Sequence, residues 1–313
     1  MKRAAIVGIA AGAAAALIIG GGLSWWLLNP PSSAEDAAQG YLNALASGDF
    51  EAIDAMRGTR LDAETERILA EAFRGAESFV ADPRIEEIRS AQGTTSVRAS
   101  ADIAGARRDI MFVLGEDGAR WTLVGDYLAS LEASTVLSGN GEPIGDSVWV
   151  GGALAPTGTP LALLPAEYGL ETAPRGLLTG TTSVAVSNDE PSAVAIEASI
   201  GPEATVIAQE QLDAYAEACA QPAEVVPADC GLRVPWAADL ATLTSVAFRI
   251  DQSPALTLSP DLRTFAATGG AIVATATGTT RAGGTGSFTY RADDWALRGS
   301  VWFTGDSMLL AVD

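Results

Sequence analysis

The residues able to do chemistry in this chain are few in kind. Thirty-nine Asp and Glu stand against 19 Lys and Arg, there is no His, and Cys219 and Cys230 are the only thiols. Without His, a Ser-His-Asp triad, a Cys-His dyad and His-ligated zinc are excluded within this polypeptide. Lys2 is the sole lysine, so a P-loop, a Ser-Lys dyad or a Schiff base has no lysine in the body of the chain. No aspartic-protease Asp-Thr-Gly or Asp-Ser-Gly occurs, and no D-x-D-x-D-G calcium loop. Gly283-Gly284-Thr285-Gly286 is not followed by a helical pattern, which makes it a hairpin turn and not a phosphate cradle. Carboxylate chemistry remains: two acids facing each other across a cleft could hydrolyse a glycosidic bond. No pair among the acids is singled out by spacing, so the reading is no catalytic residue, no cofactor and no metal. A carboxylate-dependent hydrolase of envelope glycans stands as the alternative.

The cysteines lie in YAEACAQPAEVVPADCGL, Cys219 at the end of a helical pattern and Cys230 after a Pro-broken loop. In an oxidising compartment they form a disulfide, contributing about 2–3 kcal/mol through the unfolded chain. Zinc would require further ligands, and the C-x-x-C spacing of a redox pair is missing.

The compartment follows from the first residues. Ala4 to Leu28 carry no charge, and a run of about 25 residues at ~1.5 Å each crosses a hydrocarbon core of ~30 Å. Lys2 and Arg3 precede it and Glu35 and Asp36 follow, so the N-terminus is expected in the cytoplasm and the bulk of the chain outside. Trp25 and Trp26 fall at the outer interface. A cleaved leader is the competing reading, with Ser32-Ser33-Ala34 offering small residues to a signal peptidase. No cysteine follows the apolar run, which excludes a lipoprotein anchor. The net charge of −20 repels nucleic acid and anionic headgroups and keeps an exported protein soluble. Partners are then the membrane, through a single-pass anchor, and an envelope protein or wall polymer.

Beyond the anchor, Ala37, Tyr41, Leu42 and Leu45 recur at helical spacing, Phe50, Ile53 and Met56 repeat it, and Ser47-Gly48-Asp49 joins the two segments. Leu61, Ile68, Leu69, Ala72 and Phe73 mark a third helix. After Pro83 the period becomes two, and Gly115-Glu116-Asp117-Gly118 marks a turn. From about residue 135, Gly, Pro, Thr and Val dominate in short strands. VIAQEQLDAYAEACAQ then forms one more helix, with Val206, Leu212, Tyr215, Ala216 and Cys219 on its apolar face. Strands run almost to the C-terminus.

The run Ala38-x-x-Tyr41-Leu42-x-Ala44-Leu45-x-Ser47-Gly48-Asp49, followed by helices and a meander ending in Trp121-x-Leu123-Val124, resembles the nuclear-transport-factor-2-like cone. Membrane-anchored exported proteins of high-GC Gram-positive bacteria carry such a module after one span. The resemblance implies an α+β fold with Val97, Ala99, Ala101 and Ile103 lining the cone, and Arg98 and Asp102 on the opposite, solvated face. It also admits a cone-pocket enzyme, although no inward acid-base pair is legible. The segment VWVGG…GTPLALLPAEYGLETA is similar to small β-modules of the teicoplanin-resistance-associated membrane family. FVLGEDGARWTLVG at 112–125 and FTYRADDWALRGS at 288–300 share a Phe, a polar turn and W-x-L-x-G. They are read either as a second copy of the helix-plus-meander plan or as convergence on a hairpin with a buried Trp, Trp121 and Trp295 packing the core.

The expected organisation is thus α+β throughout: 1–33 cytoplasmic stub, transmembrane helix and linker; 34–134 the nuclear-transport-factor-2-like module; 135–200 a small β-rich module; 201–313 a helix plus antiparallel sheet with the disulfide. The expected function is a non-catalytic, membrane-anchored envelope protein that binds or scaffolds a protein, a wall polymer or a small apolar ligand.

Overall fold

The computed structural model describes residues 33–118 and 120–313. The expected membrane span lies outside the described residues, and among the described residues no helix is long and apolar enough to cross a membrane. The fold is mixed α+β, with few helices and many strands. The described residues divide into two compact units, one holding those up to Ala133 with Trp149–Leu170 and Thr182–Val194, the other Ser134–Val148, Glu171–Thr181 and Ala195–Asp313. The stretch 135–200 is shared between them.

In the first unit, Ser33 caps α1 (Ala34–Ser47) by accepting the Asp36 amide at 3.1 Å. Gly48 ends α1 with φ 70°, where a Cβ would also lie 2.3 Å from the Phe79 ring, so only glycine fits. Asp49 then accepts from the Ala52 amide and opens α2 (Phe50–Met56). Asp62 caps α3 (Ala63–Arg74), whose buried stripe is Ile68, Leu69, Ala72 and Phe73. Leu61 precedes that helix and is only half-buried.

The strands β1 (Ala81–Ala91), β2 (Thr94–Ile103), β3 (Ala106–Asp117) and β4 (Arg120–Val124) form an antiparallel meander in that order. Along β2, Val97, Ala99, Ala101 and Ile103 are buried, and the Tyr41 ring meets Phe112 edge-on at 4.7 Å between centroids. Arg98 and Asp102 point the other way and pair with Asp109 at 2.8 Å and Arg107 at 3.4 Å. The period-two alternation places the side chains of β2 on these two faces. Two further sheets are built of short strands: β11 (Thr181–Val186), β9 (Ala166–Thr172), β6 (Ser147–Val150) and β7 (Ala153–Pro156) in one, and β10 (Leu178–Thr179), β12 (Ser192–Ile200), β5 (Ala129–Leu137) and β8 (Pro160–Leu163) in the other, each in that order.

In the second unit the α-helix α4 (Ala204–Cys219) accompanies the antiparallel sheet β13 (Leu240–Gln252), β15 (Thr264–Thr280), β16 (Thr285–Thr304) and β17 (Ser307–Val312), with β14 (Ala255–Leu258) paired to the far half of β15. Of the expected Gly283-Gly284-Thr285-Gly286 turn, Gly283 and Gly284 lie in the turn that joins β15 to β16, and Thr285 and Gly286 already belong to β16. The buried residues of α4 are Ala204, Ala208, Leu212, Ala216 and Cys219, mostly small, which lets the helix approach the sheet closely. Val206, expected on this face, is 56% exposed, because two residues along a helix from Ala204 or Ala208 is about half a turn. Beneath lie Phe265, Ile272, Trp295, Leu297, Val301 and Phe303. The segment 288–300 lies inside the single strand β16, so its Asp293-Asp294 is not the expected hairpin turn; the ladder shifts register there instead. By contrast 112–125 does form the β3–β4 hairpin. Trp295 is buried as expected, whereas Trp121 is only half-buried.

Candidate functional site

A concave surface of the second unit is built by the connection from α4 to β13. Cys219, the last residue of α4, is bonded to Cys230 with 5.7 Å between Cα atoms. Cys230 ends a one-turn helix, and its carbonyl accepts the Trp295 indole N–H at 2.9 Å. The disulfide and this hydrogen bond hold one end of a strap, residues 231–236, over the sheet. Gly231 starts the strap with φ 62°, and a Cβ there would lie 2.6 Å from the Ala296 carbonyl oxygen. The far end is fixed by Arg281 donating to the Ala237 carbonyl at 2.6 Å. Behind the strap, Ala223 exchanges backbone hydrogen bonds of 2.9 and 2.8 Å with Val246 on the edge of β13.

Between strap and sheet lies a cleft of about 500 Å³, within the ~300–1,000 Å³ typical of small-ligand sites. Its floor is set by cross-strand register: Phe248, Ala274 and Tyr290 form one row and Ile250, Ile272 and Ala292 the next. The alanines give the cleft its depth, while Phe248, Ile272 and Trp295 give it apolar walls. On the other side of the strap a more open hollow of about 610 Å³ is lined by Val226, Pro227 and Trp236. Leu232, Arg233, Val234 and Pro235 border both spaces.

The polar groups of the cleft fall into two kinds. Tyr290 donates to Asp239 at 2.8 Å; burial, and then the Asp239 carboxylate, push its hydroxyl pKa up. Arg291 is occupied by Asp293 at 2.7 Å and by Asp251. Arg233 and Asp294 are exposed and make no ion pair among the described residues.

A second polar constellation lies in the first unit. Arg57 has a fully buried side chain. Its Nε donates to the Tyr127 hydroxyl at 2.9 Å, both terminal nitrogens donate to Glu66 at 2.6 Å, and one also reaches Asp54 at 3.1 Å. Burial alone would lower the guanidinium pKa, but the bonds to Glu66 and Tyr127 outweigh it and raise it. Arg57 in turn holds the Glu66 carboxyl below its ordinary value. Its donors are directed at protein acceptors, so this arginine ties α2 to α3 and is not presented to a ligand.

Every displaced carboxylate among the described residues is displaced downward: Glu51, Asp62, Glu64, Glu66, Asp146, Asp251 and Asp261. Asp146 shows the balance. Burial pushes it up, yet hydrogen bonds from Thr304 at 2.6 Å, the Gly305 amide at 2.8 Å and Ser147 at 2.8 Å prevail. Of the residues expected to matter, Cys219 and Cys230 are joined and brought beside the cleft, while Arg98 and Asp102 stay on the outer face of their sheet. Sequence reasoning missed the strap and Arg57. Pro227 and Pro235 around Cys230 were the available signal for the first, but nothing in Met56-Arg57-Gly58 separates a buried arginine from an exposed one. Models of known protein families give no match to the chain, and a search of curated proteins gives none either.

Proposed function

We propose that this chain is a non-catalytic, membrane-anchored protein of the cell envelope whose second unit binds a small, largely apolar ligand. The observation that carries the reading is the alanine-floored cleft under a strap pinned by the Cys219–Cys230 disulfide and the Trp295 indole. A preformed concavity with apolar walls at Phe248, Ile272 and Trp295 and polar groups at Arg233, Tyr290, Arg291 and Asp294 has the mixed lining that orients a small molecule. The downward displacement of the shifted carboxylates supports binding over hydrolysis, since a general acid working near neutral pH needs its pKa raised. The uncharged run from Ala4 to Leu28 supports the anchor.

Two measurements test this. An environment-sensitive apolar fluorophore titrated into the protein should bind saturably, and Ala274→Leu, which fills the floor without adding charge, should weaken binding about tenfold. Unchanged affinity in Ala274→Leu would refute the cleft as the site. Cell fractionation should recover the protein in membranes, and a mature form beginning at Glu35 in the medium would remove the anchor from the account.

A further inference from the structure

We infer that the ligand of the cleft is a single-chain anionic amphiphile, with its apolar body over Ala274 and Ala292 and its acidic head at Arg233. This rests on the binding reading above and adds the chemistry of the ligand.

Three observations carry it. The floor sets alanines beside larger side chains, Ala274 between Phe248 and Tyr290 and Ala292 beside Ile272, which leaves a trough suited to one extended chain. The strap is bordered by hollow space on both sides, so a chain lying under it can leave its head at the rim, in water. Arg233 stands at that rim, exposed and without an ion-pair partner among the described residues. In a chain of net charge −20 the general field repels anions, so a guanidinium beside the cleft with no ion-pair partner among the described residues is a local exception. Its planar fork matches a phosphate or carboxylate. Asp294, the other unpaired charge lining the cleft, suits a hydroxyl or ammonium on the same head and opposes a head with negative charge alone spread across it.

The test uses the full chain in lipid nanodiscs and two photoreactive probes with the same twelve-carbon tail, a dodecyl phosphate and a dodecanol. Labelled peptides are mapped by mass spectrometry, so that partition of the probe into the disc is separated from occupation of the cleft. Peptides containing Leu232, Phe248 or Ala274 should be labelled about fivefold more by the phosphate probe than by the alcohol. Arg233→Gln should bring that ratio to about one while leaving alcohol labelling unchanged, and inorganic phosphate should not compete. Equal labelling by both probes in the native chain would overturn the anionic head while leaving the apolar cleft intact. Competition by inorganic phosphate would replace the amphiphile with a soluble anion. Cleft peptides labelled by neither probe would overturn this inference and the binding reading together.

Discussion

Arg57 and Tyr41 show how single side chains decide the stability of the first unit in opposite directions. Replacing Arg57 by Met would leave Glu66 and the Tyr127 hydroxyl without their donor. Breaking one partner out of a buried pair costs about 3–5 kcal/mol, and because Glu66 is 23% exposed water recovers part of it, so we expect about 3 kcal/mol in urea unfolding. Arg57→Lys should recover little, since a lysine cannot serve both Glu66 oxygens and Tyr127 at once. Tyr41 is the reverse case. Its hydroxyl is fully buried with no hydrogen-bond partner among the described residues, and burial, with Tyr127 adding to it, drives its pKa far upward. A buried unpaired hydroxyl is itself a cost, so Tyr41→Phe should stabilise the protein by about 1 kcal/mol while keeping the ring contact with Phe112. A loss of stability in that variant would mean the hydroxyl is satisfied after all. The helical spacing of Tyr41 with Leu42 and Leu45 showed in the sequence that it is buried. Whether its oxygen finds a partner depends on residues distant in the chain, and no local pattern carries that.

Among the elements, α4 does more than cover a sheet. Gln211 donates to the Met308 carbonyl at 2.8 Å and accepts from the Leu310 amide at 3.2 Å, which closes the open edge of β17. Gln209, on the other side of the same helix, donates to the Pro254 carbonyl at 3.1 Å and accepts from the Leu256 amide at 2.8 Å on β14. One helix thus caps two strand edges with side-chain amides, protecting groups that would otherwise be free to pair with another chain. Gln211→Ala should cost about 1 kcal/mol and speed hydrogen exchange at Leu310 without affecting Leu256; parallel acceleration at both would indicate that the helix had detached. The disulfide belongs to this scale too. Cys219→Ser with Cys230→Ser should lower stability by about 2–3 kcal/mol and weaken fluorophore binding, because the strap loses the bond that holds its near end. The sequence made α4 legible through its period and the β15–β16 turn through its glycines. It misplaced Val206 and read a turn at Asp293-Asp294, because a register shift within a long strand and a hairpin turn both draw on small polar residues.

At the scale of the whole chain, the absence of His and the single lysine make pH the most informative variable. Each displaced carboxylate has a folded pKa below its unfolded one, so the stability it contributes is present above the ordinary carboxylate range and is lost as pH falls through the folded value. Stability and ligand affinity should therefore be nearly flat from about pH 5 to 8, where no unperturbed side chain of this composition titrates, and should decline only in more acid solution. Binding and catalysis part company inside that silent window, because a general acid active near neutrality would have to titrate there. The most direct measurement follows the side-chain carboxyl carbons by NMR between pH 5 and 8. The account predicts that none passes through a midpoint in that range; one Asp or Glu titrating near 6 or 7 would contradict it and would identify the residue that carries a reaction.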